Sequence, residues 1–226
     1  MLDVWQRAFQ KVFTPQILKF LGTGLLNTLY IAAVSIAFSF IFGTMLALMR
    51  SRKMGPLTVF ATVYIEAIRN IPLTLFVIGM RFMTRLPPLE SGIAAMTVFT
   101  SAVVAEIVRG GLNSIHNGQW EAAYSQGFST VGAMVKVIVP QALRRIRSPL
   151  IAQFVTTIKD TSFCAAVGTY ELSFTSKIVA SHRTIVTAQD ILVVYLLVAL
   201  AYYVVNFTFS TIARRTGDSS AKGVVR

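Results

Sequence analysis

Long apolar runs alternate along this chain with short polar breaks, most of them basic, and only one break is long. Apolar runs of about 20 residues are the length that crosses a bilayer as a helix. Five are read, at about 24–49, 57–80, 92–111, 149–168 and 191–213. Ahead of them, Leu2, Trp5, Phe9, Val12 and Phe13 share one helical face, with Asp3, Arg7, Gln10 and Lys11 away from it. Residues 1–14 therefore predict an interfacial helix lying on a membrane, closed by Thr14-Pro15. It does not read as a signal peptide, because the apolar run behind it is too long and lacks a convincing cleavage site. Residues 114–148 form the long polar break, between the third and fourth runs, and 216–226 read as a short flexible tail. The pattern predicts an all-α integral membrane protein, a single transmembrane domain over 1–226 with five spans inside 24–213.

Composition agrees. Of 226 residues, 54% are hydrophobic and only 13% charged, too apolar for a soluble domain. The net charge of +12 could suggest nucleic acid, but the basic residues cluster just outside the apolar runs, where they set topology. One side collects Arg50, Arg52, Lys53, Lys136, Arg144, Arg145, Arg147, Arg214, Arg215, Lys222 and Arg226, eleven in all. The other holds Arg7, Lys11, Lys19, Arg81, Arg85, Lys177 and Arg183, seven in all. The richer side faces the cytoplasm, which puts the N-terminus outside and both the C-terminus and residues 114–148 inside.

Candidate chemistry is sparse. Cys164 is the single cysteine, so no intramolecular disulfide forms, and His116 and His182 read as polar loop residues with no metal set around them. No catalytic constellation is seen. The phosphate-cradling Gly-x-x-x-x-Gly-Lys-[Ser/Thr] loop is missing, so the chain carries no ATP site or cofactor of its own. Energy must come from a partner or an ion gradient.

Charged side chains inside spans are costly and usually face a bundle interior or a wet cavity. Glu66 and Arg69 lie i, i+3 in the second run, and Glu106 and Arg109 repeat that spacing in the third. Lys159 and Asp160 are adjacent in the fourth, and so point roughly 100° apart on a helix. The first and fifth runs hold no Asp, Glu, Lys or Arg, which predicts that they face lipid while the middle three line the centre. Two readings follow for the six residues. They surround a path for a zwitterion, whose carboxylate seeks Arg or Lys and whose ammonium seeks Glu or Asp. Alternatively, Glu66–Arg69 and Glu106–Arg109 neutralise each other and lock helix packing. Asn70-Ile71-Pro72 predicts an opened helix with free carbonyls.

The long break has its own grammar. Ala122 and Ala123 leave a short helix bare on one side, and Glu121 offers a charge to a basic pocket. Gly127 can take positive φ and end that helix. Ser129 or Thr130 can cap a second helix through residues 131–139, and Pro140 limits its continuation.

Glu121, Ala122, Ala123, Gly127, Val137, Val139 and Pro140 resemble the cytoplasmic loop by which permease subunits of bacterial ABC importers dock onto their ATPases. Tyr64-Ile-Glu-Ala-Ile-Arg-Asn-Ile-Pro72, Ala105-Glu-Ile-Val-Arg-Gly-Gly111, Gly118-Gln-Trp-Glu-Ala-Ala123 and Lys159-Asp-Thr-Ser162 look like the polar amino-acid branch of that family. The resemblance implies five or six spans in an inner-membrane subunit that pairs with an identical or related permease. It further implies a cytoplasmic ATPase dimer that binds ATP, an extracytoplasmic solute-binding protein, and a polar amino acid or an opine as cargo. Glu121, Ala122, Ala123, Gly127 and Pro140 would then be the ATPase-coupling residues. Phe163-Cys164-Ala165-Ala166 and Tyr170 depart from the family's more aliphatic pattern. The competing function is an ion-coupled secondary transporter of a small zwitterion, which would leave the docking pattern unexplained.

Overall fold

The computed structural model describes the backbone of residues 2–51 and 55–221 and the side chains of 3–51 and 55–213. Among the described residues every regular element is helical. Helix α1 (Leu2–Val12) ends before Thr14, and Pro15 opens α2 (Pro15–Ser51), where its missing N–H costs nothing. At 37 residues α2 is about 55 Å long, and it starts nine residues ahead of the expected position 24. Gly24 sits inside it because a Cβ there would meet Thr175 Oγ1 at 2.3 Å.

The second apolar run is two helices, α3 (Pro56–Arg69) and α4 (Leu73–Thr84), separated at residues 70–72 as expected. The third is α5 (Pro88–Asn113). Then come α6 (Asn117–Ser125), a short α7 (Thr130–Ala133), a π-helical turn at Met134–Ile138, and α8 (Val139–Asp160). A 3₁₀ segment (Thr161–Val167) leads to α9 (Leu172–Ala180) and α10 (Ala188–Ala221).

Among the described residues three helices, α2, α5 and α10, are individually long and apolar enough to cross a membrane, and the bent pair α3 and α4 is a fourth if it is one broken span and not a re-entrant loop. The fourth expected span, 149–168, is not one helix. Its first part belongs to α8, which begins ten residues earlier and carries Arg144, Arg145 and Arg147, with Pro149 inside rather than at its start. Its last part is the 3₁₀ segment, closed by Gly168 at φ 79°. The tail boundary at 216 shifts too, since α10 stays helical through Ala221; residues 222–226 lie outside the described residues, as do Arg52 and Lys53.

The chain forms two compact units. The first comprises 1–35, 72–96 and 155–211. Its core sets Ala8 and Val12 of α1 against Leu21, Leu172, Val179 and Val194. The expected apolar face of α1 therefore divides. Val12 is fully buried, whereas Phe9 and Phe13 are each 48% exposed. Lys11 fastens the helix by donating to Asp190 Oδ2 at 2.8 Å, and the same oxygen accepts from the Val186 and Thr187 N–H groups. Helix α9, absent from the sequence reading, is capped by Glu171. That buried carboxylate accepts from the Ser173 and Phe174 N–H groups and the Tyr202 hydroxyl. Burial raises its pKa above the ordinary carboxylate value.

The second unit comprises 36–71, 97–154 and 212–226. Ala47, Ile65, Val104, Ala105, Ile138 and Ile146 sit at its centre. Two glycines let its helices close up: a Cβ on Gly43 would meet Ser101 O at 2.7 Å, and one on Gly111 would meet Ile146 Cγ2 at 2.1 Å. The long polar break and the charges of the second and third apolar runs both belong to this unit.

Candidate functional site

The polar break folds as helix, sharp turn, helix. His116 caps α6, its Nδ1 accepting from the Gly118 N–H at 3.1 Å. At the other end Gly127 adopts φ 82°. Its N–H donates to Tyr124 O at 2.9 Å, and the Phe128 N–H donates to Ala123 O at 3.1 Å. This is the paired bonding of a left-handed helix terminus, which satisfies carbonyls that would otherwise lack partners. Ser129 then caps α7 by accepting from the Gly132 N–H at 3.2 Å.

Glu121 and Ala122 are exposed, but Ala123 is only 3% exposed and packs into its own unit. The bare face expected of both alanines is thus offered by Ala122 alone. Pro140 is exposed and stops nothing: the π turn precedes it and α8 runs on. An extra residue in the turn re-registers the backbone just where the proline ring would clash with the carbonyl four residues back. The loop is braced by Gln141 Nε2 donating to Gln119 Oε1 at 2.9 Å, by Arg145 donating to Ser114 O, and by Lys136 Nζ over the Phe128 ring at 5.6 Å. A groove of about 450 Å³ flanks α6, lined by Trp120, Tyr124, Thr130 and Met134 among others.

The charges within the apolar runs are arranged differently from the i, i+3 expectation. Glu106 does pair with Arg109, whose Nη2 donates to Oε2 at 2.8 Å. Glu66 and Arg69 do not pair with each other. Glu66 Oε1 accepts from Arg50 Nη2 at 2.9 Å, while Arg69 Nη1 lies 3.8 Å from Glu106 Oε2. Arg50 also donates to Glu106, so this one guanidinium joins α2, α3 and α5. The sequence reading placed Arg50 among the basic residues outside the first apolar run. Its only signal was numerical: it is the basic residue nearest a run that otherwise has no charge. Lys159 and Asp160 belong to the first unit, where Lys159 is exposed; the ion pairs among the described residues do not include one between them.

The fold now has known counterparts. The model of the family described as binding-protein-dependent transport system inner membrane component matches residues 39–217. The chain belongs to that family. The probable glutamine ABC transporter permease protein GlnP of Bacillus subtilis is 36% identical over 212 residues, 92% of this chain and 96% of that protein. The L-cystine transport system permease protein TcyB of the same species is 31% identical over 197 residues, 85% and 82% of the respective chains. The crystal structure of an amino acid ABC transporter with histidines superposes with a TM-score of 0.81 at 28% identity, over 90% of this chain and 95% of that one. An inward-facing methionine ABC transporter, MetNI, shares the fold with a TM-score of 0.73 at 22% identity. As a member of the family, this chain is a multi-pass inner-membrane permease subunit of an ABC importer, and the ion-coupled alternative is not favoured.

Proposed function

We propose that this permease moves a polar amino acid, or a close analogue such as an opine, across the bacterial inner membrane by alternating access, energised by ATP bound to a separate ATPase dimer. The cargo class is supported by the relatives of this chain, probable glutamine and L-cystine permeases among them. An extracytoplasmic solute-binding protein delivers the cargo, and a second permease, identical or related, completes the path. The N-terminus faces outward and residues 114–148 face the cytoplasm, following the asymmetry of basic residues. Glu66, Arg69, Glu106 and Arg109, all of the second unit, line the path of the cargo.

One observation carries the coupling: Glu121 and Ala122 stand exposed on a nine-residue helix whose exit is fixed by Gly127. A short helix braced on both flanks transmits a push, whereas an unbraced loop absorbs it. Gly127 holds the shape, Ala123 anchors it, and Ala122 permits close approach of a partner. The test is Ala122→Arg. Because the site is exposed, the variant is expected to stay in the membrane at normal levels while its ATPase no longer co-purifies and ATP-driven uptake fails. An intact complex with normal uptake would remove α6 as the docking element.

A further inference from the structure

Arg50 is the hub of a cluster in which three arginines face two glutamates. Its guanidinium donates to Glu66 and to Glu106, and Glu106 also accepts from Arg109. Glu106 is therefore engaged on both oxygens by the chain's own cations, and Glu66 on one. Arg69 is different: among the described residues its one ionic contact is at 3.8 Å, and it is 42% exposed. A guanidinium presents N–H donors in a planar fork that matches a carboxylate, so Arg69 keeps donors free for one. Within the second unit Glu66 and Glu106 balance Arg69 and Arg109. Arg50 is the unmatched charge.

We infer that Arg50 sets the charge class of amino acid this permease accepts. By holding Glu66 and Glu106, it leaves Arg69 to receive the cargo carboxylate and keeps the cluster net positive. Amino acids with neutral or acidic side chains are admitted, and those with cationic side chains are refused. The inference rests on the proposal that the cluster touches cargo. A lysine or arginine side chain arriving there meets guanidinium groups with no carboxylate released to pair it, and like charges repel more strongly away from bulk water.

The test uses the purified permease–ATPase complex without the solute-binding protein, which would otherwise select the ligand first. Equilibrium binding of radiolabelled L-glutamine, L-glutamate and L-arginine is measured. The wild type binds L-glutamine and L-glutamate and discriminates against L-arginine by about tenfold or more. Arg50→Gln frees Glu66 and makes the cluster neutral, so affinity for L-arginine rises by about tenfold while L-glutamine binding persists. Arg50→Lys keeps the charge and keeps the discrimination. Glu66 is 52% exposed, so losing its partner leaves it solvated and the Arg50→Gln variant folded. Arg69→Gln weakens binding of all three. Equal binding of L-arginine and L-glutamine by the wild type overturns the inference, as does an unchanged preference in Arg50→Gln, and both leave the cluster a cargo site. Binding indifferent to Arg69→Gln overturns the cargo site itself, and the inference with it.

Discussion

Gly127 shows how far a single residue can be read. Its φ of 82° belongs to the left-handed region, and a Cβ there would meet nothing within 4 Å. Any substitution penalty is therefore backbone strain, not crowding. A left-handed conformation costs an L-residue about 1–2 kcal/mol, less for Asn, whose short polar side chain tolerates it, and more for a β-branched residue. Gly127→Val is expected to remain in the membrane but lose most ATP-driven uptake, while Gly127→Asn keeps most of it; equal uptake by the two variants would contradict a conformational role. Gly127 and Ser129 were legible because their partners lie within five residues. Arg50 was not, because its partners lie 16 and 56 residues away and no local rule brings them together. That distance also changes how the cluster can be probed. Exchanging Glu66 and Arg69 looks neutral on one helix, yet it would set an arginine against Arg50.

Among the elements, the break at residues 70–72 was legible, since proline restricts the residue before it and cannot donate within a helix. The path through Pro140 and Pro149 was not. Both prolines mark helix ends by local rules, but the π turn accommodates the first and α8 continues past the second. Helix α9 escaped notice because it is short and its buried face includes Thr175 and Ser176, which break an apolar pattern. Close approach was equally hidden, since a glycine in an apolar run does not announce what it touches. At Gly43 a new methyl would meet the Ser101 carbonyl at 2.7 Å and the Val104 side chain at 2.8 Å, and backbone cannot give way. At Gly111 the obstacle is the Cγ2 of Ile146. Gly43→Ala is expected to destabilise by about 1–3 kcal/mol, the usual cost of overpacking. Gly111→Ala should cost less and be relieved by Ile146→Ala, whereas Val104→Ala should relieve Gly43→Ala only in part. Thermal unfolding of the detergent-solubilised variants checks the order, and a Gly43→Ala variant as stable as wild type would contradict the close approach of α2 and α5.

For the whole molecule, composition and the run pattern were enough for an all-helical membrane protein, because the bilayer demands internally satisfied backbone over long apolar stretches. The number of crossings was harder to read. Residues 149–168 are apolar as a string, yet they are divided between the end of α8 and a 3₁₀ segment. The division into two units was invisible as well, since each gathers segments from distant parts of the chain. The proposed coupling unites these features: a permease with charged residues in its apolar helices would be driven through α6 by a separate ATPase. The most direct test reconstitutes the permease with its ATPase and solute-binding protein in sealed proteoliposomes and follows uptake of radiolabelled L-glutamine. Uptake is expected only when ATP is supplied on the side bearing residues 114–148, and it should survive ionophores that collapse proton and sodium gradients. Uptake that proceeds without ATP, driven by an imposed ion gradient, would contradict the account.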